Sequence, residues 1–262
     1  MNGIPVLMYH ALETNEYPSG YFCPNEQRYV LKLNLFHEQM KYLYERGYKT
    51  LFIKEVLGMS SIPERAVVIT FDDGHSSNEQ LALPILLEFG FKAEFFITTG
   101  WIGTPNFLDA TKIKHLVSAG MRIGSHGVSH TFLNDLDEND LWIELTESKK
   151  VLEEIVGENI DTLSLPGGRV PDFVDRIAEA GFAVSCSSEV GLFNGYDPYF
   201  IPRMAIRNTV KKQEFIHVTS GNKLYYCKER CRYKVFSNSK SLFGNNFYES
   251  IRSYLLSKDL CK

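Results

Sequence analysis

Short apolar runs alternate with longer helix-patterned stretches from the N-terminus to about residue 187, and that alternation restricts the fold more than any other feature. Ile4–Tyr9 reads as a strand, and Leu35–Arg46 carries apolar positions at helical spacing, closed by Gly47. Strand, helix and strand follow at Ala66–Phe71, Gln80–Phe89 and Ala93–Thr98, with Gly90 ending the helix. Ile113–Ser118 predicts a short helix before Gly120, Arg122–Ser125 a strand, Glu138–Val156 a long helix ended by Gly157, and Thr162–Leu165 a strand. Asp172–Ala180 and Ala183–Ser187 add a helix and a strand, with Gly181 at the C-cap position. A strand and crossover helix repeated in this way specify an α/β fold, a parallel sheet covered by helices and closed or nearly closed into a barrel. In such a barrel, chemistry sits at the C-terminal ends of the strands.

The chain has 262 residues, which one α/β barrel can fill. One domain is expected over 1–220. After about Gly221 the composition turns to Lys, Arg, Tyr and Cys without a strand pattern, so 221–262 is expected to be a C-terminal extension packed on the barrel, with a helix at Asn246–Leu256. A formal net charge of -4 offers no basic field for nucleic acid. No stretch approaches the ~20 apolar residues of a transmembrane helix. The first twelve residues lack the basic and apolar regions of a secretory signal, so the expected location is cytoplasmic. Five cysteines (Cys23, Cys186, Cys227, Cys231 and Cys261) fit reduced thiols better than a disulfide framework. Cys227 and Cys231 have no nearby thiol or histidine to complete a zinc clip.

Two motifs carry chemistry. In Thr70-Phe71-Asp72-Asp73-Gly74, an apolar strand meets a glycine turn at two adjacent carboxylates. Neighbours on a strand point to opposite faces, but a turn at the strand end can aim both at one pocket, so that one binds a metal while the other accepts a proton. The alternative is an Asp-Asp-Gly surface turn. The second motif is His126 and His130, which begin at the end of another predicted strand. Their spacing puts two imidazoles on one face of a helical turn, able to chelate a zinc-like ion. Both motifs fall at strand C-termini, where they would share one rim. Two histidines and one carboxylate suit Zn²⁺, Fe²⁺, Co²⁺ or Ni²⁺, and such an ion polarises a carbonyl and lowers the pKa of water toward ~7.

With Phe91-Lys92-Ala93-Glu94-Phe95-Phe96-Ile97, these residues resemble the polysaccharide deacetylases with a NodB homology domain, carbohydrate esterase family 4, over roughly residues 3 to 220. The resemblance implies a distorted (β/α)7 barrel of the NodB type. It implies Asp72 as general base and Asp73, His126 and His130 as ligands of a divalent metal, Zn²⁺ first with Co²⁺ or Ni²⁺ as alternatives. Val6-Leu7-Met8-Tyr9-His10 resembles the opening of the deacetylases acting on poly-N-acetylglucosamine, which makes His10 the candidate general acid. The later His217, in Glu214-Phe215-Ile216-His217, sits on a helix-like stretch and reads as structural, and His75 beside the Asp pair is placed at the cleft.

Two further departures from the family pattern bear on the site. Gly127 follows the first metal histidine where many members have Ser or Thr, so a supporting hydrogen bond is lost or comes from Ser125 or Ser129. The third motif reads Ser164-Leu165-Pro166-Gly167-Gly168, without the Arg that usually clamps the base. Arg169 or Arg203 is expected to replace it, with Pro166 and Gly167 supporting. Tyr9, Phe71, Trp101 and Tyr199 lie near strand ends but read as core or rim, and no substrate contact is assigned to them. The function implied is metal-dependent removal of the N-acetyl group from an amino sugar of a glycan or glycan precursor, releasing acetate. A catalytically silent glycan-binding or scaffold barrel and an amidohydrolase for a non-sugar amide stay open. An intracellular soluble or lipid-linked precursor is the expected substrate.

Overall fold

The computed structural model describes residues 3–21 and 23–234; the predicted helix Asn246–Leu256 and Cys261 lie outside the described residues. By contacts the chain divides into Met1–Gly221 and Asn222–Lys262. In the second unit, residues 223–234 are helical.

The first unit is built on β1 (Val6–Tyr9), β2 (Ala66–Phe71), β3 (Glu94–Ile97), β4 (Arg122–Ser125), β5 (Thr162–Ser164), β6 (Val184–Cys186) and β7 (Met204–Ala205). All run parallel, in the order β7-β1-β2-β3-β4-β5-β6, and a short strand Lys49–Thr50 pairs with the start of β2. Every residue of β2 is buried, as expected of a parallel strand covered on both faces. The sheet curls until its edges share one segment: Ile201 bridges Cys186, and Met204 pairs with Leu7. The result is the expected distorted parallel α/β barrel, with seven strands in its path.

Six helices matter here: α1 (Leu33–Glu45), α2 (Leu83–Glu88), α3 (Ala110–Ser118), α4 (Glu138–Val156), α5 (Asp175–Glu179) and α6 (Lys212–Thr219). Local sequence sets several ends. Asp109 caps α3 by accepting from the Lys112 N–H, Asp137 caps α4 by accepting from Asn139 and Asp140, and Gly157 closes α4 at φ 75. The predicted helix Gln80–Phe89 instead opens as a π-helical turn, Asn78–Ala82, before α2. Pro84 has no N–H to offer the Gln80 carbonyl, and the Leu83 N–H reaches back to Asn78 instead. β7 was not predicted. Its two residues carry no periodicity of their own and are held as a strand by β1.

A buried apolar plug is formed by Ile4, Val6, Ile53, Val56, Val68, Phe96, Phe193 and Ile201. Glu94 is fully buried beside this plug: one carboxyl oxygen accepts from the Ile53 N–H at 2.6 Å and the other has no partner. Burial pushes its pKa up to about 7, against the Ile53 N–H and Arg122, with Asp161 and Glu55 adding to the rise. A carboxyl raised above its unfolded value takes up a proton on folding. Its contribution to stability is therefore present below the unfolded pKa and lost as pH rises to about 7. Glu94→Gln should gain on the native chain by on the order of 3 kcal/mol between pH 5 and pH 8. Thermal unfolding of both proteins across that range checks this, and a difference independent of pH would refute it.

Candidate active site

Asp72 follows β2 directly and is 2% exposed. Arg203, on the segment that closes the barrel, holds it in a two-pronged pair, Nη1 to Oδ1 and Nη2 to Oδ2, each at 2.7 Å. Nη2 also donates to Ser164 Oγ at 2.8 Å, Nη1 to Thr70 Oγ1 at 3.3 Å and Nε to the Ser187 carbonyl at 3.0 Å. Ser164 Oγ in turn donates to Asp72 Oδ2 at 3.1 Å. Every donor of this buried network is directed. Burial alone would raise the Asp72 pKa, but Arg203 and His126 outweigh it and hold the carboxyl below its usual range. Arg169, the other candidate clamp, does not reach Asp72. It stacks 3.8 Å from the Phe132 ring and lies 3.7 Å from Asp135.

Asp73 has φ 73, which turns it out of the strand alternation and into the same pocket as Asp72. Its Oδ1, buried and without a hydrogen bond, lies 3.3 Å from His130 Nε2 and 3.5 Å from His126 Nε2. One donor atom from each of the three residues lies within 4.8 Å of the others. The histidine pair is not on a helical turn as the spacing predicted. Residues 126–130 form a loop, with Gly127 at φ 77 and His130 at φ 62. This positive φ at His130 brings the second imidazole round to the first.

Neighbours prepare both rings as ligands. His126 Nδ1 donates to the Ser164 carbonyl at 2.8 Å, which leaves the Nε2 lone pair facing Asp73, and burial pushes its pKa down to about 4, so it is neutral. Burial lowers His130 too, but Asp73 outweighs it and the net shift is upward. For Asp73 itself, burial is outweighed by His130, His10 and His126, so it stays ionised. An ionised carboxylate with an unsatisfied oxygen between two imidazoles fits a divalent cation.

The sequence profile of the polysaccharide deacetylase family matches residues 60–184, the span that supplies Asp72, Asp73, His126, His130 and Ser164. Residues 60–184 are thus similar to a polysaccharide deacetylase domain. It is 32% identical over 193 residues to YxkH of Bacillus subtilis, a protein assigned to the polysaccharide deacetylases. That match covers 72% of this chain and 65% of YxkH, just under two thirds of the relative's length. With the poly-beta-1,6-N-acetyl-D-glucosamine N-deacetylase of Staphylococcus aureus it shares 25% identity over 229 residues, 78% of this chain and 79% of that protein. The fold is that of the Streptococcus pyogenes deacetylase PplD in complex with acetate, with a TM-score of 0.73 at 23% identity over 83% of this chain and 98% of that one.

His10, just past the end of β1, is close enough to Asp73 and Asp72 to feel both charges. Its Nδ1 is buried without a partner; burial lowers its pKa, and Asp73 and Asp72 pull the other way. His75 lines no open cleft: Nδ1 meets Ser77 Oγ and Nε2 the Ser19 carbonyl, each at 2.8 Å. His217 is on α6, as its helix-like context predicted. Pro166 is buried, and Gly167 has φ 62 with the Phe132 ring 2.5 Å from where a Cβ would stand. Tyr9 and Phe71 are core, whereas Trp101 stacks on His130 with centroids 5.0 Å apart.

Two site residues escaped the sequence reading. Tyr21 has a buried hydroxyl without a partner, and its pKa is raised by burial first and then by Asp73. Glu144, on α4, accepts from the Val128 N–H at 2.6 Å, from the Ser129 N–H and from Ser129 Oγ at 2.6 Å. It grips the loop between the two histidines. A Cβ on residue 127 would stand 2.8 Å from Glu144 Oε2, so Gly127 makes room for this grip, while its own N–H donates to Ser125 Oγ at 3.1 Å. The signal was available: Glu144 and Ser148 share the buried stripe of Leu141, Leu145 and Leu152.

Removing Glu144 frees the loop that orients both imidazoles. Glu144→Ala should weaken zinc affinity about 10- to 100-fold, read by chelator competition, while circular dichroism stays native. Unchanged affinity would show that the grip is dispensable. Arg203→Met strips a buried carboxylate of its partner, an expected loss on the order of 3 to 5 kcal/mol in denaturant unfolding. A loss below about 1 kcal/mol would mean that Asp72 is not held ionised by Arg203.

Proposed function

We propose that this chain is a divalent-metal-dependent deacetylase that hydrolyses the N-acetyl group of an amino sugar in a polysaccharide or glycan precursor and releases acetate. The observation that carries the reading is the side-by-side placement of a carboxylate kept ionised by Arg203 and a separate Asp73–His126–His130 ligand set. Asp73, His126 and His130 would hold the cation, zinc by preference for two imidazoles and a carboxylate, with cobalt or nickel as substitutes. When bound, it supplies a Lewis acid that polarises the acetyl oxygen and acidifies water.

The chain's own groups do the rest. Asp72, ionised and fixed by two guanidinium hydrogen bonds, takes a proton from the attacking water. His10 delivers a proton to the departing amine, and its Nδ1 makes no hydrogen bond that would compete with that role. Water thus gives up one proton, the amine gains one, and Asp72 and His10 reset by exchange with solvent. Ser164 links the two halves, its hydroxyl bonding Asp72 and its carbonyl orienting His126.

The silent-barrel alternative drew its force from the missing third-motif Arg. Arg203 reaches Asp72 from the other side of the barrel seam, and that motive is gone. A cytoplasmic location and a precursor substrate belong to the proposal as well. No helix among the described residues is long and apolar enough to cross a membrane; cell fractionation tests the location.

The decisive assay is acetate release from N-acetylhexosamine oligomers and from small non-sugar amides, after chelation and again after adding zinc, cobalt or nickel. Metal-restored release from the sugars, lost in Asp72→Asn by at least about a hundredfold, is the expected result. A folded, metal-loaded protein that releases acetate from none of the sugars refutes it.

A further inference from the structure

Two arginines that share Tyr29 with His10 as a neighbour have no counter-charge. Arg28 and Arg207 both lie over the ring of Tyr29, with guanidinium carbons 5.0 and 5.9 Å from its centroid. The Nε atoms of both are buried and unbonded, and among the described residues neither arginine forms an ion pair. Tyr29 also packs on His10, its ring centroid 4.5 Å away. Two separate loops deliver the pair. Asn208 binds them together, its N–H donating to the Arg28 carbonyl at 3.0 Å and its Nδ2 to the Gln27 carbonyl at 2.9 Å.

Two half-buried cations around one ring repel each other, and the ring's negative face offsets only part of that cost. Other cations in this chain are answered: buried Arg203 by Asp72, and half-buried Lys54 by Asp161 and Arg176 by Glu138 and Glu179. Nearby acids do not answer Arg28 and Arg207. Asp72 is spent on Arg203, Asp73 faces the two imidazoles, and Glu13 pairs with Lys32. Glu26, on the same loop as Arg28, is exposed and its charge is felt at Tyr21 and His130. Guanidinium groups with free, fixed N–H donors are the side chains best matched to phosphate and carboxylate.

We propose that Arg28 and Arg207, braced on Tyr29 beside His10, form an anion subsite, and that the acetamido sugar is presented with a phosphate or carboxylate on it or on its neighbour. This rests on the deacetylase reading above and narrows it from neutral glycans to anionic ones. A glycosyl phosphate or diphosphate carrier and a uronate-containing glycan share this chemistry.

The test uses the metal-loaded full chain and two readouts. Acetate release is compared between neutral N,N′-diacetylchitobiose, N-acetylglucosamine 1-phosphate and a disaccharide of N-acetylglucosamine with glucuronate. Calorimetry measures binding of N-acetylglucosamine 1-phosphate against N-acetylglucosamine. The expected result is a preference of about tenfold or more in kcat/KM for one anionic substrate, weakened by added salt and falling toward one in R28Q/R207Q. R28K/R207K, which keeps the charge and packing over Tyr29 but loses the fork, should retain part of it, and stands in if the glutamine variant does not fold. Which anion is preferred separates the phosphate source from the uronate.

Equal turnover of neutral and anionic sugars, or a preference that survives in R28Q/R207Q, overturns the subsite while leaving the deacetylase intact; phosphate bound by the cation would behave in that second way. If no sugar releases acetate, the deacetylase reading fails, and the calorimetric difference between native chain and R28Q/R207Q still decides the subsite.

Discussion

The ion pair between Asp72 and Arg203 depends on both sides of the barrel seam. Asp72 directly follows β2, while Arg203 sits between Ile201, which bridges β6, and Met204, which pairs with β1. A carboxylate this deeply buried is tolerable only with its partner and hydrogen bonds complete. Arg203 supplies three kinds of acceptor contact at once, to Asp72, to the hydroxyls of Thr70 and Ser164 and to the Ser187 carbonyl. Closure of the sheet therefore sets the charge state of the proposed base, and the base in turn gives the closing segment a reason to stay in place.

The neighbouring ligand set is prepared by different means. His126 is fixed by a backbone carbonyl, His130 by stacking on Trp101 and by its own positive φ, and the loop between them by Glu144. Strain at Asp73 and His130 is concentrated where the donor atoms must converge, which is where unusual backbone conformations are worth their cost. Ser164 joins the two halves of the site through its two oxygens. Its hydroxyl also accepts from Arg203, which arrives from the segment that closes the sheet.

Much of this was legible in order along the chain. β2, β4 and α4 have the bounds their patterns predicted, because an uninterrupted apolar run and an Asp-capped, Gly-terminated amphipathic stretch are self-contained signals. The Asp72-Asp73 and His126/His130 motifs were readable from their place at strand ends. The helical geometry assigned to the histidine pair was not, since spacing reports separation and Gly127 leaves the backbone free to turn.

By itself, then, the sequence determined the parallel α/β barrel, the rim that bears the chemistry and the residue types available there. These follow from local periodicity, capping and hydrophobic burial, which act over a few residues. Only the tertiary structure decided between Arg203 and Arg169, revealed Glu144 as the holder of the ligand loop, and brought Arg28 and Arg207 to one tyrosine. Those contacts join residues far apart in the chain. Their energies depend on burial and on which partners remain free once the barrel has closed, and neither quantity exists before it does.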